Sequence, residues 1–184
     1  MSQSEIVFRG KIFEVEQLPQ PDGRVFEVAR RAPGVRLIVA KPKERQLLLT
    51  KEFRRELNDW DYRLPGGKVF DSLAEYDSFR ESGEDVLKPA LTKVKGEGAE
   101  EAGIDVKQAE LFKKSTLGAT VEWDLYIFTV TDWQPHADGQ QLEAGEEIEA
   151  DNWLDYQEVK KMILAGHMQE ERVALILLQW LSRR

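Results

Sequence analysis

A chain of 184 residues with 41% hydrophobic and 33% charged content is long enough to bury a sizeable core, and it reads as one domain, 1–184. The net charge of −8 argues against a general nucleic-acid or membrane-surface binder, and the lack of cysteine excludes disulfides and thiolate metal sites. No apolar stretch reaches the length of a bilayer span, Met1-Ser2-Gln3-Ser4-Glu5 does not open a signal peptide, and the expected compartment is the cytoplasm.

In chain order, Ile6–Phe8 and Ile12–Glu16 read as short strands, and Pro19-Gln20-Pro21-Asp22-Gly23 as a turn. Val25–Ala29 then resumes as a strand, making an N-terminal antiparallel hairpin segment over 1–31. Val35–Ala40 and Gln46–Thr50 are nearly continuous in apolar content, as expected of central strands covered on both faces. Lys51, Arg54 and Arg55 form a local basic cluster in an acidic protein, and arginine suits a fork-like clamp on phosphate oxygens. Pro65-Gly66-Gly67 ends a short segment that begins near Trp60. Residues 70–84 read as a loop with a short helix around Leu73–Arg80. Leu87, Ala90, Leu91 and Val94 recur at helical spacing, and Pro89 is tolerated in a first turn, so a helix is expected over 85–102 with Gly103 as its stop.

Leu111-Phe112 and Leu125–Val130 read as strands on either side of Ser115–Thr120. Gln134–Glu149 reads as a mobile acidic loop. Asn152–Leu154 reads as a last strand, and Asp155 with Glu158 as a capping box for a helix to Leu164. A final helix over 170–182 places Val173, Ile176, Leu177, Trp180 and Leu181 on one stripe, read as core or subunit interface. His136 and His167 have no ligand spacing between them and read as surface or loop residues.

Offsets of 3 and 4 place Glu97, Glu100 and Glu101 on one face of the 85–102 helix. Like charges so placed repel unless a cation sits among them, and an all-oxygen donor set favours Mg²⁺ or Mn²⁺ over zinc. Gly96 and Gly98 weaken this helix locally, by about 1 kcal/mol each against alanine.

With Gly67 upstream and Glu97, Glu100, Glu101, Gly103 and Ile104 downstream, the chain resembles a Nudix hydrolase, whose box reads G-x5-E-x7-R-E-φ-x-E-E-x-G-φ with φ apolar. Within that family it is similar to the ADP-ribose and nucleoside-diphosphate-sugar pyrophosphatases. The supporting stretches are Leu49–Arg54, Leu64–Val69, Ser115–Thr120 and Leu178–Leu181. The departures are specific. Gly96 stands where the box has arginine, Lys88 where it has its first glutamate, and Gly98 at a φ position. The Gly67–Gly96 interval is longer than the box, so 70–84 reads as an insertion. The family's bracing ion pair is therefore absent, and Glu84 or Lys93 is the candidate replacement.

The resemblance implies an α/β fold: a Nudix-type α/β/α sandwich with a mixed, curved sheet, the box helix on one face and the terminal helices on the other. It implies a homodimer formed through the N-terminal hairpin. It also implies Mg²⁺-dependent cleavage of a small-molecule nucleoside diphosphate sugar, such as ADP-ribose, to a nucleoside monophosphate and a sugar phosphate. Glu97, Glu100, Glu101 and the Gly67 carbonyl would hold the metal, Glu100 counting as catalytic as well. Glu143 or Glu146 of the acidic loop would be the general base, and Arg54 would hold a phosphate, with Arg30 or Arg31 as further candidates. The departures also motivate a second expectation, a Nudix-fold sensor that binds nucleotides with little turnover. A third is an acidic interaction domain without metal.

Overall fold

The computed structural model describes residues 4–184, and of Ala150 only the backbone. Two open sheets organise the chain. The larger has six strands: β4 (Gly34–Lys41), β5 (Gln46–Arg54), β6 (Asp59–Arg63), β7 (Ile104–Ser115), β9 (Leu125–Pro135) and β10 (Ile148–Asp155). Its order is β10-β5-β4-β9-β7, with β6 on β5; β4 and β9 run parallel and the other pairs antiparallel, so the sheet is mixed. The smaller sheet joins β1 (Glu5–Arg9), β2 (Glu14–Pro19) and β3 (Val25–Arg30) to β8 (Val121–Glu122).

The side-chain alternation of β4 decides what covers each face. Val35, Leu37 and Val39 pack with Ala90 and Val94 of helix α2 (Leu87–Glu100). Ile38 and Ala40 pack on the other side with α3 (Tyr156–Leu164) and α4 (Glu171–Leu181), around Val159, Ile176, Leu177 and Trp180. The result is the expected α/β sandwich. Trp180 is buried and its indole N–H donates to Thr129 Oγ1 at 3.1 Å, so its removal would cost about 3–5 kcal/mol. No helix among the described residues is long and apolar enough to cross a membrane.

Several local expectations change in the folded chain. The N-terminal segment is more than a hairpin: β1, β2 and β3 form a meander, and β3 continues the sheet by parallel pairing with β8. The strand expected over 12–16 lies at 14–19, because Gly10 N–H closes a turn onto Phe13 O at 2.7 Å and delays it. Strand β7 is far longer than Leu111-Phe112 suggested, since pairing with β9 carries its polar residues. Residues 70–84 form helix α1 (Leu73–Ser82), with Ser72 Oγ accepting from Glu75 N–H at its start and Gly83 at φ +69° ending it. Phe70, Tyr76 and Phe79 of this segment pack together, with Ala32 beside them.

Candidate active site

The cavity of about 300 Å³ between α2 and the edge of the two sheets begins at the Pro-Gly-Gly segment. Residues 65–69 lie alongside β4: Leu37 N–H donates to Pro65 O (2.8 Å), Val35 N–H to Gly67 O (2.9 Å) and Val69 N–H to Pro33 O (2.9 Å). Gly66 sits at φ +143°, and a Cβ there would overlap the Val35 carbonyl, so only glycine lets the two backbones run this close. The Gly67 carbonyl expected to hold a metal already accepts from Val35, which leaves it one lone pair. A Cβ on Gly67 would overlap the Glu97 carboxylate, so the box carboxylate lies directly against this strand end.

Helix α2 and the Glu101 that caps it bring three glutamates to the cavity, but not as one convergent group. Lys93 Nζ stands 3.0 Å from Glu97 Oε1 and 3.4 Å from Glu100 Oε2. Glu101 turns away and accepts from Gly66 N–H at 2.7 Å. Lys93 thus makes the bracing contact, while Glu84 lines a separate hollow beside Lys88 and Gly96. Burial raises the Glu97 pKa above the ordinary carboxylate range. Burial, and then the Glu97 charge, push Glu101 up to about 8, against the Gly66 hydrogen bond that favours its charged form. Among the described residues no three acidic or histidine side chains form a ready metal cage. The donor chemistry nonetheless fits a hard divalent ion: an all-oxygen set of carboxylates, Glu97 buried, whose charge needs a cation, with Lys93 supplying one.

The same cavity is lined by Arg31, Arg54, Glu143 and Glu146, so it gathers residues from the segment after β3, from β5 and α2 and from the loop before β10. The loop is fastened to the end of α2. Gln141 N–H donates to Glu100 O (2.9 Å), and Gln140 Nε2 to Glu101 O (2.8 Å) and Ile148 O (3.3 Å). Phe53 N–H donates to Glu147 O at 2.9 Å, tying the loop to β5 as well. Glu146 folds back to accept from Glu143 N–H at 2.9 Å, whereas the Glu143 carboxylate has no partner among the described residues.

The basic candidates divide differently from the sequence expectation. Arg30 is held by Glu14 (3.0 Å), Glu16 (2.5 Å) and Glu122 (3.1 Å) inside the smaller sheet and does not line the cavity. Arg54 lines the cavity, yet its guanidinium is engaged by Glu52 at 2.6 Å and by Glu56, which weakens the phosphate-clamp reading. Lys51 and Arg55 pair with Glu149 and Glu147 of the acidic segment. Arg31 has no carboxylate partner among the described residues.

Sequence reasoning passed over a buried charge chain in the cavity wall. Arg36 donates to Gly66 O (2.5 Å) and Val35 O (3.1 Å) and pairs with Glu170 at 3.2 Å. Glu170 also binds Arg63 at 2.7 Å, and Arg63 reaches Glu52 at 3.2 Å. One signal was visible, an arginine inside an otherwise apolar strand run. Its partner at the start of α4 was not.

No family model matches the sequence, and no curated protein matches it. Solved structures do match. The crystal structure of an ADP compounds hydrolase aligns over 98% of this chain and 92% of its own, with a TM-score of 0.69 and 18% sequence identity. At that identity the likeness establishes the fold.

Proposed function

We propose that this protein is a divalent-metal-dependent hydrolase of a nucleoside diphosphate linked to a sugar or similar group, yielding a nucleoside monophosphate and a sugar phosphate. One observation carries the reading: a single cavity holds Glu97, Glu100 and Glu101 against the Gly66-Gly67 strand end, with Arg31 on its wall and Glu143 at its mouth. The likeness to an ADP compounds hydrolase supports the same reading at the level of fold. The Nudix resemblance supplies its substrate class.

Glu97, Glu100 and Glu101 would hold Mg²⁺, or Mn²⁺, with the free lone pair of the Gly67 carbonyl. Bound there, the metal would neutralise diphosphate charge and lower the pKa of water. Lys93 balances the carboxylates while substrate is away and shares their helix face. Glu143 is the better placed of the two loop glutamates to take a proton, since Glu146 is spent on the loop's own backbone. Arg36 acts on the Gly66 carbonyl and so fixes the backbone against which Glu97 and Glu101 lie.

The N-terminal meander supports a homodimer. Ile6, Val7 and Phe8 of β1 are exposed, as are Val25 and Phe26 of β3, and an unpaired apolar edge of this kind suits a second copy of the chain.

The test is a panel of ADP-ribose, UDP-sugars, GDP-mannose, dinucleotides and nucleoside triphosphates with Mg²⁺ or Mn²⁺, products being read by ³¹P NMR. The expected result is a monophosphate pair from one diphosphate-linked substrate, lost on adding EDTA. Binding of a panel member with no hydrolysis of any would instead establish the sensor reading, which Lys93 between Glu97 and Glu100 favours.

A further inference from the structure

Backbone pairing places Arg31 over a tryptophan that no motif singled out. Residues 29–34 run beside 120–124: Ala29 N–H donates to Thr120 O (2.9 Å), Arg31 N–H to Glu122 O (3.1 Å) and Gly34 N–H to Asp124 O (3.0 Å). The Arg31 guanidinium carbon lies 4.2 Å from the Trp123 ring centroid. Arg172, in the first turn of α4, lies 4.3 Å from the same centroid and donates to Trp123 O at 2.8 Å. The indole thus packs against two guanidinium groups, of which only Arg31 lines the cavity.

The indole N–H is the feature left over. The Trp123 indole N–H is buried and finds no acceptor among the described residues, although the side chain lines the cavity. A Cβ placed on Gly34 would lie 3.8 Å from this nitrogen and 3.1 Å from Gly67 O, so the missing side chain at 34 keeps the space beside them open. A buried donor without an acceptor costs roughly 1–3 kcal/mol, a cost that a ligand oxygen would remove. The charge balance agrees. Arg54, Arg63 and Arg36 are neutralised by Glu52, Glu56, Asp61 and Glu170, whereas Arg31 and Arg172 have no ion pair among the described residues.

We propose that the Trp123 indole N–H and the Arg31 guanidinium form a phosphoryl-oxygen subsite, with Arg172 bracing the tryptophan through its ring and its carbonyl. The ligand class rests on the proposed function; the donor arrangement does not. A planar guanidinium and an indole N–H suit an oxyanion, and both residues line the cavity. Arg31 thereby takes the phosphate-holding role that Arg54 is too well neutralised to fill.

The test uses the full chain and inorganic pyrophosphate, the moiety shared by every candidate substrate. Trp123→Phe keeps a ring against the guanidiniums and removes the N–H; Arg31→Gln removes the charge. The expected result by calorimetry is a loss of at least about tenfold in pyrophosphate affinity in each variant, equivalent to about 1.4 kcal/mol. In ¹⁵N-tryptophan spectra, which carry five indole signals, the signal missing from Trp123→Phe should be the one that pyrophosphate shifts in wild type. Wild-type affinity in Arg31→Gln, or an unmoved Trp123 signal, overturns the subsite. If Trp123→Phe does not fold, Arg31→Gln and the wild-type spectrum decide. Pyrophosphate binding at Trp123 with a blank hydrolysis panel keeps the subsite and removes the hydrolase reading. Hydrolysis without that binding does the reverse.

Discussion

Lys93 Nζ lies 3.0 Å from Glu97 Oε1, one turn along the same helix, and 3.4 Å from Glu100 Oε2. Lysine here steadies the carboxylates by sitting among them, so it competes with any metal for the same oxygens. Replacing individual carboxylates separates the two jobs. Glu100→Gln and Glu101→Gln should each lower Mg²⁺-dependent turnover by at least about a hundredfold, about 2.7 kcal/mol of activation energy. The fold should survive both. In Glu101→Gln the amide oxygen can still accept from Gly66 N–H and a buried charge is gone, so the melting temperature should hold or rise. Turnover near wild type in either purified variant would remove these residues from the metal site.

The two helix glycines should respond oppositely to alanine. At Gly96 the nearest atom to a new Cβ is Glu100 Oε1 at 3.5 Å, an ordinary contact, so Gly96→Ala should stabilise by up to about 1 kcal/mol. At Gly98 a Cβ would come within 2.6 Å of Val106 Cγ2 and 3.2 Å of Ile104 O, where α2 meets β7. Gly98→Ala should therefore destabilise by about 1–3 kcal/mol despite the better helix former. Urea denaturation of both variants measures the contrast, and equal shifts would show that α2 does not approach β7 this closely.

Glu170 holds two buried guanidiniums, Arg36 and Arg63, with one carboxylate. Removing it in Glu170→Ala should cost about 3–5 kcal/mol, because both cations lose an acceptor together. For a chain of this size that is a fall of about 6–20 °C in Tm. Arg36→Ala should cost less, since Glu170 keeps Arg63, but it releases the Gly66 carbonyl and should weaken turnover as well. A double-mutant cycle across Arg36 and Glu170 reads their coupling, and additive losses would mean the two side chains do not interact.

Gln140 fastens the acidic loop to the Glu101 carbonyl at the end of α2 and to that of β10's first residue. Gln140→Ala should cost about 1–2 kcal/mol for two bonds and free residues 141–147. Amide exchange in that stretch should accelerate while the core stays protected. Turnover should drop about tenfold, through kcat more than KM, if Glu143 is the base that the loop positions. Unchanged exchange would show that Phe53 and Gln141 secure the loop without it.

Much of the framework follows from local pattern. The apolar runs at 35–40 and 46–50, the helical periodicity of 87–94 and 173–181, and the stop at Gly103 each act over a few residues, so they declare themselves in order along the chain. They determine the sandwich, the faces of its helices and the presence of three glutamates beside a Gly-Gly strand end. What only the tertiary structure decided depends on pairing between distant segments. Arg30 and Arg31 are neighbours, yet strand alternation sends one into a knot of three carboxylates and the other onto Trp123. Arg54 looked free until β5 and the turn after it set Glu52 and Glu56 beside it. Arg36 needed Glu170, on a helix that begins more than a hundred residues later, before it could be read as anything but an oddity in a strand. A charge's role is set by what neutralises it, and that partner is chosen by the fold.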